Sequence, residues 1–346
     1  QGGMLSRVNV ATGESTSIKP LAREGEEKLR FNWNTPIHLS PTVAGTVYYG
    51  SQYLHRAPDR GESWETIAPD LTTDDPNRQR QAETGGLTID NSTAENNATI
   101  YAISESPKNA QVIWTGSDDG YIHVTRDGGE NWARVSDNIA DLPEGLWVSS
   151  VHASPHGEAS AFVTVDGHRS GDMATYVFRT DDFGATWQSL VSDGISGYAW
   201  VVKQDPVNPE LLYAGTEFGL FISLDGGLQW ARFKENLPMV AVHDLAVHPT
   251  EHDLIIGTHG RGIYIIDDLT ALRGLTAEIL QSNVAVLPSR PSPMVLAGIQ
   301  DWFGSDDEFV GRNPSQAATI DYWLKKRHLF GDLKIEVYDA DGELIT

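Results

Sequence analysis

One pattern, Asp-x-Gly-x-x-Trp, occurs three times in full, as "TRDGGENW" (residues 125–132), "TDDFGATW" (180–187) and "SLDGGLQW" (223–230), and once in the degenerate form "APDRGESW" (57–64). Successive aspartates are 43 to 68 residues apart. Recurrence on that scale marks a fold assembled from stacked supersecondary units. The same order of events precedes each copy. An apolar stretch ends in a proline turn, at Pro41, Pro107, Pro155, Pro206 and Pro249. A β-rich run follows and ends in small residues. A second β-rich run leads into the Asp motif, and the motif's Trp opens a further strand. Each unit thus reads as four short strands, a to d, joined by turns. Proline is excluded from central strands, so the prolines mark the a–b turns. The 3.6-residue periodicity of a helical solenoid is absent.

The expected fold class is therefore all-β: a β-propeller of four-stranded blades, about five of them plus a partial one. The blades fall near residues 34–67, 87–135, 147–190, 198–233 and 240–272. The fifth lacks the Asp motif. Residues 4–18, "MLSRVNVATGESTSI", read as strands c and d of a sixth unit around the turn at residues 11–13. The propeller is assigned to 1–275. A linker-like stretch with Pro288, Pro291 and Pro293 covers 276–314. Residues 315–346 read as the start of an Ig-like β-sandwich, with a type I′ hairpin at Asp-Ala-Asp-Gly (339–342).

The repeated aspartates, Asp59, Asp127, Asp182 and Asp225, are expected to be staples. A carboxylate at such a turn accepts backbone N–H groups, and Gly permits the positive φ a tight turn needs. The tryptophans, Trp64, Trp132, Trp187 and Trp230, are expected to fill the gaps between blades. Identical catalysts in every blade would be scattered around a ring and would not converge on one substrate.

The blades differ where the staples do not reach. On the face opposite the Asp motifs lie the b–c turns "GSQYLH" (50–55), "GSDDG" (116–120), "VDGHRSGD" (165–172), "GTEFG" (215–219) and "GTHGRG" (257–262). Variable loops on a constant scaffold are where function sits. Asp118 or Asp119 with Glu217 forms a carboxylate pair of the kind glycoside hydrolysis requires. Tyr53, His168, Arg169, His259 and Arg261 are the ligand-binding choices, with the two arginines suited to an anionic group. Solvated turn residues and inter-blade ion pairs explain the same residues equally well. Tyr53, Trp147, Tyr198 and Trp200 are available as aromatic platforms, although aromatics in strands are usually core.

The chain has 346 residues, no cysteine and a formal charge of -23. Disulfides and thiolate metal sites are excluded, and so acidic a surface disfavours nucleic acid and anionic membranes. No run is long enough to span a membrane as a helix. No metal site and no cofactor are indicated.

The Asp motif is the Asp-box, or BNR repeat, found in sialidases, xyloglucan-degrading glycosidases and sortilin-type propellers. "RFNWNTPIHLSP", "TWQSL", "GTEFGLFISLDGGLQW", "NLPMVAVHDLAVHP" and "GTHGRGIYIIDDLTALR" resemble the C-terminal part of large exported bacterial proteins usually labelled sortilin-like or BNR-repeat glycosyl hydrolase-like. The resemblance covers about residues 1–275. It implies an extracellular or periplasmic address, a following sandwich domain, and further blades supplied by a missing segment or another chain. The hydrolase label of that group is itself an inference from the repeat. Two functions follow as expectations: a propeller that binds a glycan or peptide on its b–c face, or a glycoside hydrolase or lyase that acts on an extracellular polysaccharide through a carboxylate pair.

Overall fold

A computed structural model describes residues 2–80, 96–292 and 317–345. The start of the expected second blade (87–95) and most of the expected linker (293–314) lie outside the described residues. The chain divides into two compact units, Gln1–Ile266 and Asp267–Thr346.

The first unit is a β-propeller built of antiparallel sheets. Strands a to d are Ile37–Leu39, Val47–Gly50, Leu54–Ala57 and Glu65–Thr66 in blade one. In blade two they are Ile100–Ser106, Asn109–Ser117, Ile122–Thr125 and Trp132–Arg134. Blade three has Trp147–Ala153, Ala161–Asp166, Tyr176–Thr180 and Gln188–Ser189. Blade four has Ala199–Gln204, Leu212–Thr216, Gly219–Ser223 and Ala231–Arg232. The proline turns sit where the sequence puts them. In blade four, the Asp205 carboxylate accepts the N–H groups of Val207 and Asn208, both at 2.9 Å, and closes the a–b turn. The core lies between blades: Val112, Trp114 and Ile122 of blade two pack in one cluster with Val148, Val151 and Val163 of blade three.

The Asp-box is a turn lock and an inter-blade lock at once. Asp127, Asp182 and Asp225 each accept the N–H of the residue before the Trp, at 2.9 Å. Each also accepts the hydroxyl that closes strand c, from Thr125, Thr180 and Ser223. In the degenerate copy Ala57 has no hydroxyl, and Asp59 takes the N–H groups of both Glu62 and Ser63. These hydrogen bonds hold the Asp127 carboxyl down at about 2, and lower those of Asp59 and Asp182 as well. The indole N–H then crosses to the preceding blade. Trp132 donates to the carbonyl of Ile67, Trp187 to Val135 and Trp230 to Leu190, in each case the residue just after strand d. The motif glycine is pressed on that same residue: a Cβ at Gly184, where φ is +81°, would lie 2.7 Å from Cβ of Val135. Glycine here answers two demands, the turn and the close approach of blades.

Asp225→Ala removes an acceptor for Gln229 N–H and Ser223 Oγ. It is expected to cost about 1–3 kcal/mol, with ligand binding by the folded protein unchanged. A denaturation midpoint measured beside a binding assay checks this, and an unaltered midpoint with lost binding would contradict it.

Trp64 donates to the carbonyl of Ile18 in the same way. That bond places the hairpin of Ser6–Val8 and Ser15–Ser17 at the c–d position of a unit preceding blade one. The hairpin pairs with no strand of the fifth blade. The fifth blade departs from the four-strand expectation: among the described residues it has Val242–Val247, Leu254–Thr258 and Ile263–Ile266. The Asp motif is absent from this blade, and Ile263 and Ile265 stand 72% and 55% exposed on its edge.

In the second unit, Val284–Val286 pairs with Tyr322–Leu324, and Tyr338 bridges Leu344. The turn at 339–343 is not type I′, which needs positive φ at two central residues. Only Gly342 has it, at +81°. Instead the Asp339 carboxylate accepts the N–H groups of Asp341 and Glu343, which gives a type I turn followed by a glycine bulge. Among the described residues no helix is long and apolar enough to cross a membrane.

Candidate functional site

Strand a of blades two to five carries a bulge opposite the same point of strand b. The skipped residues are Tyr101, Ser149, Trp200 and His243. A bulge re-aims its side chain out of the alternation of the strand. These residues stand at the mouth of the b–c face, because strand a begins where strand b ends. In the register, the counterpart of Gly116, Gly215 and Gly257 is Thr164, one residue earlier than the loop at Val165 implies.

The re-aimed residues join their neighbours in an arc. The rings of Tyr101 and Trp147 meet edge to face at 5.2 Å. The Arg169 guanidinium lies 3.9 Å from the centre of Trp147 and 5.4 Å from that of Trp200. Trp200 is 4.1 Å from His243, and His243 is 4.8 Å from His259. His168 stacks on Tyr198 at 4.4 Å with planes inclined by only 16°. Aromatic and cation–π contacts of this kind fix side chains that the loops alone would leave free.

Asp166 organises the centre of the arc. Its carboxylate is fully buried, accepts the Nδ1 side of His168 at 2.7 Å and takes Nη1 of Arg169 at 2.9 Å. The two neighbours are thus pinned by one acid, and Nε2 of His168 makes no hydrogen bond among the described residues. Burial and then the adjacent His259 push His243 down to about 4, so it is neutral at pH 7. Beside the arc is a depression of about 480 Å³ lined by His168, Met173, Tyr198, Glu217, Phe218, Met239 and Ala241. Met173, Phe218 and Met239 are exposed there.

The structure thus gathers seven of the residues singled out in the sequence: His168, Arg169, Glu217 and His259, with the aromatics Trp147, Tyr198 and Trp200. The others lie elsewhere. Asp118 accepts Thr99 N–H and Oγ1 and the Asn32 side-chain amide, and is fully buried. Burial pushes its carboxyl up to about 7. Asp119 holds Thr73 N–H and Oγ1 and the Ser117 hydroxyl. Both acids tie the blade-one to blade-two connection to the scaffold, which corrects their placement in a shared depression with Glu217. Asp119 lines a separate hollow with Arg78, Tyr121 and Arg134. Tyr53 bonds Glu27 and borders a third, beside Trp64. Arg261 is exposed between Gly260 and Gly262, both at positive φ. His243 was not among the expected site residues. Its only signal is a polar residue breaking the apolar run "MVAVHDLAV".

No protein-family model and no curated protein matches the chain. Solved structures do. The chain is similar to the GH74 xyloglucanase from Xanthomonas campestris, with 19% identity and a TM-score of 0.50 over 74% of this chain and 39% of that one. It is similar to the extracellular domain of BT4673 from B. thetaiotaomicron, with 13% identity and a TM-score of 0.50 over 78% and 31%. YCF48 bound to D1 peptide is a further match, with 17% identity and a TM-score of 0.42 over 69% and 71%. The first two likenesses show the β-propeller fold. The chain spans 28% of the length of an ancestral GH74 enzyme that it also matches.

Proposed function

We propose that this propeller is an extracytoplasmic ligand-binding module, and that a glycan or peptide is held on the b–c face of blades three to five. What supports the reading is a single arrangement: one buried acid, Asp166, pins His168 and Arg169 beside an open depression whose other walls are rings and exposed apolar side chains. His259, in ring contact with His243, extends the polar rim toward the fifth blade. A pocket of a few hundred cubic ångströms with a few fixed polar groups among apolar ones is the usual form of a binding site.

The hydrolase reading asks for two carboxylates facing one cavity. Among the described residues Glu217 is the only carboxylate lining this depression, and Asp118 and Asp119 are committed to the scaffold. The binding reading therefore has the stronger support.

Tyr198 carries one wall, stacked on His168. Screening wild type and Tyr198→Ala on glycan and peptide arrays is the test. Ligand affinity is expected to fall roughly tenfold or more, as for an anchor residue, with the melting temperature little changed. Equal binding by both proteins would contradict the assignment of the face. Turnover of a polysaccharide that Glu217→Gln abolishes would favour the hydrolase instead.

A further inference from the structure

Three properties of the depression restrict what it can hold. Its walls are chemically unlike a sugar platform. Saccharides stack on flat ring faces, and here one face of Tyr198 is already covered by His168. The open surface is instead Met173, 57% exposed, Met239, 66%, and Phe218, 37%. Thioether and phenyl side chains of this kind adapt to a bulky apolar group.

The polar side is unsaturated. Arg169 spends Nη1 on Asp166, and its Nε and Nη2 make no hydrogen bond among the described residues. His168 spends Nδ1 on the same acid, and its Nε2 is likewise unpaired among the described residues. A guanidinium fixed by a buried carboxylate and by Trp147, with two nitrogens still to satisfy, is a fork for a carboxylate.

The backbone offers little. The N–H of Glu217 goes to Tyr198, that of Phe218 to Thr216 Oγ1 and that of His259 to Ala241. The N–H of His168 goes to Asp166, and those of Ser170 and Gly171 close their own turn. A peptide running across the face would find few of these donors to pair with its main chain. A ligand must be held by side chains, at one point.

From these properties, and resting on the reading of the b–c face as a binding site, we infer that the depression receives the C-terminal residue of a polypeptide. Its bulky apolar side chain seats among Met173, Phe218 and Met239, and its carboxylate meets the Nε–Nη2 edge of Arg169, which Asp166 holds beside His168. Glu217, whose carboxylate has no partner among the described residues, accepts the amide N–H of that last residue.

The probe is the peptide Ala-Gly-Ser-Ala-Phe, as the free acid, as its C-terminal amide, and with glycine as the last residue, measured by calorimetry on the whole chain. The free acid is expected to bind, with the amide and the glycine variant each about ten- to a hundredfold weaker, the worth of a charge-assisted pair or a buried phenyl group. Arg169→Gln is expected to erase the difference between acid and amide, and Met239→Asp the preference for phenylalanine over glycine. A melting curve for each variant shows that it is folded. Equal binding of acid and amide, no binding of any of the peptides, or discrimination that survives Arg169→Gln would overturn the inference. If oligosaccharides bind, with losses in Tyr198→Ala, while the peptides do not, the inference falls and the binding face stands. If no ligand responds to changes on this face, both fall.

Discussion

Replacing Trp230 by alanine is expected to lower stability by roughly 3–5 kcal/mol, as for a large buried aromatic whose cavity does not collapse. Trp230 is 5% exposed and packs with Phe162, Val177, Leu190 and Phe221 across the joint of blades three and four. Its indole N–H, 2.8 Å from the Leu190 carbonyl, ties the last turn of one blade to the next, so truncation also leaves that carbonyl without the bond. Trp64, in the degenerate copy, is only half-buried and bonds an isolated hairpin. Trp64→Ala should cost distinctly less. Urea titrations of both variants give the comparison. A loss under about 1 kcal/mol for Trp230→Ala, or a larger one for Trp64→Ala, would mean that the inter-blade lock is not the source of stability.

Acidification is expected to weaken the fold well before the surface carboxylates titrate. Burial pushes His38, His55 and His123 down to about 4, and pushes His152 well below its ordinary value. His38 must be neutral in the fold, because its Nε2 accepts the Glu105 N–H at 3.1 Å across the joint of blades one and two. Between pH 6.5 and 4 the unfolded chain takes up protons at these histidines and the folded chain does not, so stability is full above pH 7 and drops as the pH falls. Asp118 works the other way. Its carboxyl, raised to about 7, is protonated first in the folded state and favours folding on acidification. Four histidines, with His243 lowered in the same direction, outweigh one acid. The net loss from pH 7 to pH 5 is expected to be roughly 2–5 kcal/mol, at about 1–2 kcal/mol for each histidine. Denaturant midpoints at pH 7, 6 and 5 measure it, and stability that stays level or rises toward pH 5 would refute the argument.

The scaffold was legible because its signals are local. An Asp, a Gly and a Trp within six residues carry both halves of the lock, and Pro206 with Asp205 writes a turn in two letters. The fifth blade's missing strand was half legible: the Asp motif is absent there, yet nothing in "GIYIIDDL" says that a strand fails to return. The site was less legible because its geometry is long-range. The bulges that turn out Trp200 and His243 are set by how strand a is registered on strand b, which no residue spacing announces. Asp118 and Asp119 look like turn acids in "GSDDG". Their commitment to Asn32, Thr73 and Thr99 depends on segments 19 to 86 residues away in sequence, or on either side of a blade boundary. His168 and Arg169 were identified from their residue types alone, and the acid that orients them, Asp166, was read only as part of the same turn.

The tryptophan locks form a series of nearest-neighbour joints, and the series stops one joint short. Hairpin to blade one, one to two, two to three and three to four are each clasped by an indole. Blade five has no tryptophan to reach Phe233, the residue after strand d of blade four. In a linear array each element is only as rigid as its couplings, so the last joint is the compliant one, the first to open in local fluctuations. The proposed depression spans that joint: Tyr198, Glu217 and Phe218 belong to blade four, and Met239 and Ala241 lead into blade five. A ligand lodged there is a removable clasp. Its occupancy and the stiffness of the final blade become linked quantities, so that whatever tightens the one tightens the other.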